Sequence, residues 1–253
     1  MDIDVPPVLA HLHDRAILLD IDGTILDLAP SPRQVWVPQG LRRVLGRLSD
    51  LTGGALALVS GRTINDIDLI FSPLALAAIG VHGAEMRLSG DGIVQARVPP
   101  LSKTLKRRLA TIAELGPGIL VEDKGYSLAL HYRLAPEKGA AVLASAAQIC
   151  AGLPDEAVEI LPGKQVVDVK PAGIDKGNAV AELMQAPPFA GRTPIFIGDD
   201  TTDVPVFGII PAFGGQAYSV GGIIAEVAGH FDTPARVRSW LASIAGESLG
   251  AAE

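Results

Sequence analysis

Short apolar runs that end abruptly in polar residues recur along this chain, and they constrain its fold more than any other feature. Three such runs are Ala16–Leu19, Ala55–Val59 and Thr193–Ile197. Brief apolar segments bounded by polar residues are typical of strands that are buried on both faces of a parallel sheet. The sequence therefore predicts an α/β fold in which these runs are neighbouring core strands.

Candidate helices lie between these runs, as expected if helices connect parallel strands. The helical spacing of apolar residues indicates amphipathic helices over 39–50 and 65–71, and a further helix over 175–184. A last helix is predicted over 233–244, with Thr233 as its N-cap and Pro234 at its first position. Ala77–Val81 and Ala217–Val220 are two further predicted strands. The alternation of strand and helix predicts a Rossmann-like core with right-handed crossovers.

The segment between residues 99 and 171 follows a different order. It begins after Val98-Pro99-Pro100, which is typical of a linker. The predicted elements are a helix over 102–115, a hairpin of 119–123 and 127–132, a helix over 136–152, and a hairpin of 158–161 and 165–169. We therefore expect an inserted α+β (αββαββ) domain over residues 99–171, within a core formed by residues 1–98 and 172–253.

Composition excludes several classes of protein. A chain of 253 residues that is 48% hydrophobic and 19% charged can bury a large core and is not intrinsically disordered. A net charge of −7 argues against a nucleic-acid or anionic-membrane partner. Cys150 is the single cysteine, which excludes an intrachain disulfide and fits a reducing compartment. Met1–Asp4 is acidic where a signal peptide would be basic, so we expect a cytoplasmic protein. We further expect a monomer or a weak oligomer.

Four polar clusters mark the place where ligands would bind. In open α/β sheets, ligands bind beyond the carboxyl ends of the strands. Asp20–Thr24, Ser60–Arg62 and Asp199–Asp203 fall at such ends, and Asp175–Gly177 opens a helix. The topology of a parallel sheet would bring these clusters together at one edge.

The first cluster, Asp20-Ile21-Asp22-Gly23-Thr24, suits nucleophilic catalysis at phosphorus. One carboxylate can attack phosphorus to form an aspartyl-phosphate while the other, two residues on, transfers the proton. Gly23 allows a turn without a steric penalty. A plain Asp-Gly turn is the alternative, but Asp-x-Asp-Gly-Thr directly after an apolar strand is far more specific than Asp-Gly. We expect Asp20 and Asp22 to be catalytic.

The second and fourth clusters suit phosphate binding. Ser60, Gly61 and Arg62 offer a hydroxyl, backbone amides and a cation at the start of a helix, where anions are attracted. Lys176 supplies a point charge that can hold a phosphoryl group and relieve repulsion among carboxylates. Taken alone, the segment Ser60–Arg62 could be a helix cap, and Lys176 could be a solvated lysine. The prediction that Ser60, Gly61 and Lys176 bind phosphate, and that Lys176 is also catalytic, therefore depends on all four clusters meeting.

The third cluster indicates a metal. Asp199, Asp200 and Asp203, together with Asp20 and Asp22, would place up to five carboxylates in one pocket. Like charges at short range disfavour joint ionisation, so a cation is needed, and Mg²⁺ suits oxygen ligands and substrate phosphate oxygens. A solvated acidic turn or a calcium site are the alternatives, although the calcium-loop pattern with its terminal Glu is absent. Asp203 could equally orient its neighbours.

In this order, the four clusters resemble the motifs of the haloacid dehalogenase-like (HAD) phosphatase superfamily, and the inserted domain resembles its C2-type cap. The resemblance implies that Asp20 is the nucleophile and Asp22 the general acid and base. It implies that Ser60 and Lys176 hold the phosphoryl group. It further implies a magnesium ion bound by the Asp20 carboxylate, the Asp22 carbonyl and Asp199.

Further segments are similar to the trehalose-6-phosphate phosphatases, and the resemblance spans about residues 15–240. They are Val81–Glu85, Val121–Arg133 and Pro162–Pro171. The resemblance implies that Glu122, Lys124 and Asp168 contact the sugar of trehalose 6-phosphate. The family usually has Glu where Asp168 stands and two acids where Val204 and Pro205 stand. A phosphatase of sucrose phosphate or mannosylglycerate phosphate, or a non-catalytic sugar-phosphate sensor, are the alternatives.

Overall fold

A computed structural model describes residues 11–29, 34–222 and 227–249, and the acidic N-terminal sequence considered above lies outside these ranges. The chain forms two compact units. The first comprises Met1–Gln95 and Asp175–Glu253, and the second comprises Ala96–Ile174. The second unit therefore begins and ends three residues outside the predicted insertion, 99–171. Within the described part of the chain, no helix combines the length and the apolar character needed to cross a membrane.

The regular elements are as follows. The strands are β1 (Arg15–Leu19), β2 (Leu56–Val59), β3 (Ala77–Gly80), β4 (Glu85–Arg87), β5 (Gln95–Ala96), β6 (Leu120–Asp123), β7 (Leu128–His131), β8 (Val158–Gly163), β9 (Val166–Pro171), β10 (Thr193–Gly198), β11 (Gln216–Val220) and β12 (Gly229–Phe231). The helices are α1 (Leu41–Leu51), α2 (Ile64–Phe71), α3 (Lys103–Ala110), α4 (Gly139–Ala151), α5 (Lys176–Leu183), α6 (Val204–Ile209) and α7 (Pro234–Ala245).

The first unit is built on one sheet with the strand order β12-β11-β10-β1-β2-β3-β4-β5. The strands from β12 to β3 are parallel, and β4 turns back antiparallel to β3. Ile17 of β1 lies in register with Ile195 on one side and Leu56 on the other. β1 is thus a central strand, as its apolar run predicts, and the predicted α/β fold class is confirmed.

The side chains of a strand alternate between the two faces of a sheet, so a wholly apolar strand exposes apolar side chains on both faces. Helices cover both faces of this sheet. Ile17 and Leu19 belong to the core cluster that includes residues of α1, α2 and α7. Ala16 and Leu18 belong to the opposite cluster, which includes residues of α5 and α6. β1, β2 and β10 are adjacent and parallel, so the residues that follow them emerge at one edge of the sheet.

The second unit is a four-stranded antiparallel sheet with the order β6-β7-β9-β8, and its chain order is αββαββ. Residues of α3 and α4 and alternate residues of the strands form its core cluster. The pairing places Ala129 of β7 opposite both Glu122 of β6 and Asp168 of β9. These three residues therefore form one row across the sheet.

The structure adds elements that the sequence pattern did not predict: β4, β5, β12 and α6. The three strands are two or three residues long, and α6 has six residues, which is too short for a periodicity to emerge. Pro205 lies in the first turn of α6, where a missing N–H costs no helical hydrogen bond. The predicted strand over 77–81 ends one residue early because Val81 adopts a positive φ of 47°.

Candidate active site

One buried ammonium group connects two of the predicted site clusters. Asp20 follows β1, and its backbone N–H donates to the carbonyl of Ile197 at 2.9 Å. Lys176, the first residue of α5, is 2% exposed and donates from Nζ to Oδ1 of Asp20 at 2.7 Å. The same Nζ donates to Oδ1 of Asp203 at 2.7 Å. Lys176 thus lies between the residue after β1 and the turn after β10.

Asp203 also fixes the turn that carries Asp199. Its Oδ2 accepts the backbone N–H groups of Asp199 at 2.9 Å and Asp200 at 3.1 Å. Asp200 caps the same turn, since its Oδ1 accepts the N–H of Thr201 at 2.6 Å. The hydroxyl of Thr24 lies 3.5 Å from Oδ1 of Asp199. The acidic cluster is therefore a turn held by its own hydrogen bonds rather than an unstructured acidic loop.

Three carboxylates converge at this edge of the sheet. Oxygen atoms of Asp20, Asp199 and Asp203 all lie within 4.8 Å of one another, and all three residues are buried. Gly23, at φ 87°, allows this approach, because a Cβ there would lie 2.2 Å from Oδ2 of Asp199. Both roles that the sequence suggests for Asp203 are present, since its carboxylate belongs to the cluster and also holds the turn that carries Asp199.

The electrostatics of the cluster follow from burial and proximity. Burial raises the pKa of Asp20 well above its usual value; Lys176 opposes this, and the nearby Asp203 and Asp199 reinforce it. Burial alone would lower the pKa of Lys176, but the two carboxylates that it contacts raise it above its usual value. Lys176 is therefore charged at neutral pH. The cluster thus holds three buried carboxylates and one ammonium. The carboxylate oxygens form a ligand set that suits a divalent cation with a preference for oxygen ligands.

Asp22 makes a different contact. Arg62 donates to it in a bidentate manner, from Nε to Oδ2 at 2.6 Å and from Nη2 to Oδ1 at 2.7 Å. A guanidinium fork of this kind fixes the plane of a carboxylate. Of the five carboxylates that the sequence suggested for one pocket, three therefore gather, while Asp22 faces Arg62 and Asp200 caps a turn. The sequence indicates Arg62 only as a cation near the phosphate-binding loop; its position directly after Ser60-Gly61 is the local signal for this contact.

Ser60 and Gly61 follow β2, the strand next to β1. Ser60 is buried, and its Oγ accepts the backbone N–H of Arg62 at 3.2 Å. Because β1 and β2 are parallel neighbours, the loop of Ser60–Arg62 and Asp20 emerge at the same edge of the sheet. The structure thus places the predicted phosphate-binding residues Ser60, Gly61 and Lys176 at the edge that holds the acidic cluster.

The three residues predicted to contact a sugar lie together in the second unit. Lys124, in the turn between β6 and β7, donates from Nζ to Oδ1 of Asp168 at 3.2 Å. Glu122 occupies the same row of the sheet as Asp168, and its Oε2 lies 2.7 Å from Nε2 of His131. This patch of polar side chains can form hydrogen bonds with the hydroxyl groups of a ligand, and His131 holds Glu122 within it.

The chain is similar to proteins of one known family. The family model described as Trehalose-phosphatase matches residues 18–223. A probable trehalose-phosphate phosphatase of Sinorhizobium fredii is 40% identical over 92% of this chain and 89% of its own length. The trehalose-6-phosphate phosphatase of Escherichia coli is 36% identical over 90% of this chain and 86% of its own length.

Solved structures share the fold. The C-terminal domain of a Candida albicans trehalose-6-phosphate phosphatase superposes with a TM-score of 0.78 at 22% identity, covering 93% of each chain. An Aspergillus fumigatus trehalose-6-phosphate phosphatase gives a TM-score of 0.62 at 23% identity, covering 93% of this chain and 94% of its own. The sequence match over most of the chain, together with the shared fold, shows that the chain belongs to the trehalose-phosphatase family.

Proposed function

We propose that this chain is a magnesium-dependent phosphatase that hydrolyses trehalose 6-phosphate to trehalose and inorganic phosphate. The observation that carries the proposal is the convergence of Asp20, Lys176 and Asp199 at the carboxyl edge of the parallel sheet. The relatives that are 36–40% identical over most of the chain support the choice of substrate, since they are named for that activity.

The first chemical step transfers the phosphoryl group to the enzyme. The Asp20 carboxylate attacks phosphorus, the bond from phosphorus to the sugar oxygen breaks, and Asp22 donates a proton to the leaving oxygen. Lys176, which already donates to Oδ1 of Asp20, holds a phosphoryl oxygen close to the nucleophile. Ser60 and the amide of Gly61 hold the remaining phosphoryl oxygens.

The second step releases phosphate. Asp22, now deprotonated, takes a proton from a water molecule, and the resulting hydroxide attacks the phosphorus of the aspartyl-phosphate. The bond between Asp20 and phosphorus breaks, which restores the carboxylate and yields inorganic phosphate. In the structure Arg62 contacts both oxygens of Asp22. One of these contacts opens when Asp22 carries the proton that it donates, and the other continues to orient the carboxyl group.

The acidic cluster fits a magnesium ion. The Asp20 carboxylate, the Asp22 carbonyl and Asp199 would hold it, and the ion would offset the charge of the carboxylates and of the substrate phosphate. Burial of three carboxylates around one ammonium supports this proposal, because their charges need further compensation.

The second unit contributes substrate specificity in this proposal. Glu122, Lys124 and Asp168 form hydrogen bonds with sugar hydroxyls, and the unit corresponds to a C2-type cap. Buried polar groups that are built to bind hydroxyls discriminate strongly, because a substrate without those hydroxyls leaves them unpaired. We further propose a cytoplasmic monomer or weak oligomer, which the single cysteine and the acidic composition suit.

The test is phosphate release from trehalose 6-phosphate, sucrose phosphate and mannosylglycerate phosphate, with Mg²⁺ or with EDTA. We expect trehalose 6-phosphate to be preferred and EDTA to abolish release. Asp20→Asn should lower turnover by about 1,000-fold or more, the scale for removing a covalent nucleophile. Asp91→Asn, in the exposed β4–β5 connection, is the matched control and should retain turnover.

The same panel separates the alternatives. Glu122→Ala should impair hydrolysis of trehalose 6-phosphate far more than that of p-nitrophenyl phosphate, which has no sugar to recognise. Preference for another sugar phosphate would replace the proposed substrate. Absence of phosphate release from every compound would favour a sugar-phosphate sensor and overturn the enzymatic proposal.

A further inference from the structure

Val81–Gly83, which we name the His82 turn, is a strained segment to which the proposed chemistry assigns no role. Val81 and His82 adopt φ values of 47° and 55°, in the left-handed region. For a β-branched residue such as valine this conformation is a rare outlier, so the surrounding structure must hold it in place. The contacts that hold it reach the loop of Ser60 and the start of the helix that carries Lys176.

The first set of contacts reaches the loop of Ser60. The backbone N–H of His82 donates to the carbonyl of Ser60 at 3.1 Å, and that of Val81 donates to the carbonyl of Arg62 at 2.8 Å. The imidazole of His82 packs directly on Gly61, since a Cβ at Gly61 would lie 2.5 Å from Cε1 of the ring. The turn thus fixes the backbone on both sides of Gly61 and covers its Cα.

The second set of contacts reaches the helix of Lys176. A Cβ at Gly83, where φ is 106°, would lie 2.6 Å from the carbonyl oxygen of Asp175. Asp175 is the N-cap of α5, because its Oδ1 accepts the N–H of Asn178 at 2.7 Å. Lys176 follows it directly. The backbone of the turn therefore packs against the residue that starts this helix.

We propose that His82 is a positioning residue for phosphate binding. Its turn separates the Ser60 loop from the start of α5, and its ring holds Gly61 so that the hydroxyl of Ser60 and the ammonium of Lys176 face one phosphoryl group. This inference rests on the proposed phosphatase chemistry, but it is independent of which sugar the substrate carries.

The test uses the full chain with inorganic phosphate as the probe, measured by calorimetry and by inhibition of p-nitrophenyl phosphate hydrolysis. His82→Ala and Gly61→Ala should each weaken phosphate binding by about 10- to 100-fold, the usual range when a group that orients a ligand-binding residue is lost. The double variant should bind phosphate no more weakly than His82→Ala, because the added methyl group occupies space that the ring has left. If the losses in phosphate affinity of the two single variants multiply in the double variant, the proposal is overturned, since side chains in contact should not act independently.

Unfolding in urea separates positioning from stability. Phosphate binding by wild type and by each variant is compared under conditions in which the unfolding curves show both to be fully folded. His13→Ala, at an exposed position, is the matched control. If His82→Ala does not fold, His82→Asn replaces it, because asparagine tolerates a positive φ and also removes the ring. Phosphate binding by the folded variant within twofold of wild type would overturn the inference.

The proposed function and this inference can fail separately. If wild type neither binds inorganic phosphate nor hydrolyses p-nitrophenyl phosphate, the proposed function fails and the inference fails with it. If wild type does both while folded His82 variants match it, only the inference fails. If the His82 variants lose phosphate binding but trehalose 6-phosphate is not hydrolysed, the positioning role stands and the choice of sugar is wrong.

Discussion

Replacing Lys176 with methionine tests the charge balance of the acidic cluster. Lys176 is almost fully buried and makes 2.7 Å contacts with both Asp20 and Asp203. Methionine has a similar length but no charge, so the substitution leaves two buried carboxylates without their shared cation. Removing one partner of a buried ion pair is strongly destabilising, because the charge that remains is uncompensated.

The contact distances set the size of the effect. With an effective dielectric constant of about 20, each 2.7 Å contact contributes about 6 kcal/mol of attraction. Desolvation of the three groups offsets much of that attraction, so we expect a net loss of about 3–5 kcal/mol in the free energy of unfolding. At about 2–4 °C per kcal/mol for a domain of this size, Tm should fall by about 6–20 °C.

The assay is thermal and urea unfolding of Lys176→Met in metal-free buffer. Lys103→Met, on the exposed face of α3, is the matched control and should change stability by less than about 0.5 kcal/mol. Adding Asp203→Asn to Lys176→Met should recover part of the loss, since it removes one of the uncompensated charges. A loss below about 1 kcal/mol for Lys176→Met, or a further loss in the double variant, would refute this account of the cluster.

Three further predictions address other parts of the site. Arg62→Lys should lower kcat by about 10- to 100-fold in steady-state assays, since lysine cannot form the bidentate contact with Asp22; an unchanged kcat would contradict an orienting role. Burial raises the pKa of Glu85 above its ordinary value of 4.5. The folded state therefore holds this proton more tightly than the unfolded state, and stability is lost as the pH rises through the raised pKa. The free energy of unfolding of wild type relative to Glu85→Gln should thus fall as the pH rises through the raised pKa of Glu85, and a difference that does not change with pH would contradict this prediction. Mg²⁺ at about 100 times its Kd should stabilise wild type by about 2.7 kcal/mol in thermal unfolding, and an equal shift in Asp199→Asn would exclude Asp199 as a ligand.

The central part of the fold could be predicted because its signals are local. A strand such as β1 is buried on both faces, so every residue in it must be apolar, and the run stops where the chain reaches the polar edge of the sheet. The apolar runs alone therefore place Asp20 and Ser60 at one edge of the sheet. The helices that pack on this sheet are predictable for the same reason, since each needs an apolar stripe along one side.

Contacts between distant residues could not be predicted in the same way. The carboxylate of Asp22 pairs with Arg62, 40 positions away, and nothing in the local pattern states which cation a given acid will meet. The left-handed backbone of Val81 is set by hydrogen bonds to the Ser60 loop rather than by an intrinsic preference, since valine disfavours it. Strands of two or three residues, such as β12, are held by their neighbours in the sheet and leave no periodicity to detect.

Charge balance explains why Asp203, and not Asp22, joins the cluster with Asp20. The guanidinium of Arg62 neutralises Asp22 at the rim, where both side chains are partly exposed. Lys176 lies deeper, and its single charge is shared between Asp20 and Asp203, which are almost fully buried. Asp199 brings a third carboxylate to that deeper position, so the negative charge there exceeds what Lys176 can offset. The excess lies beside the proposed nucleophile, which is where an added divalent cation would both stabilise the fold and attract a phosphate ester.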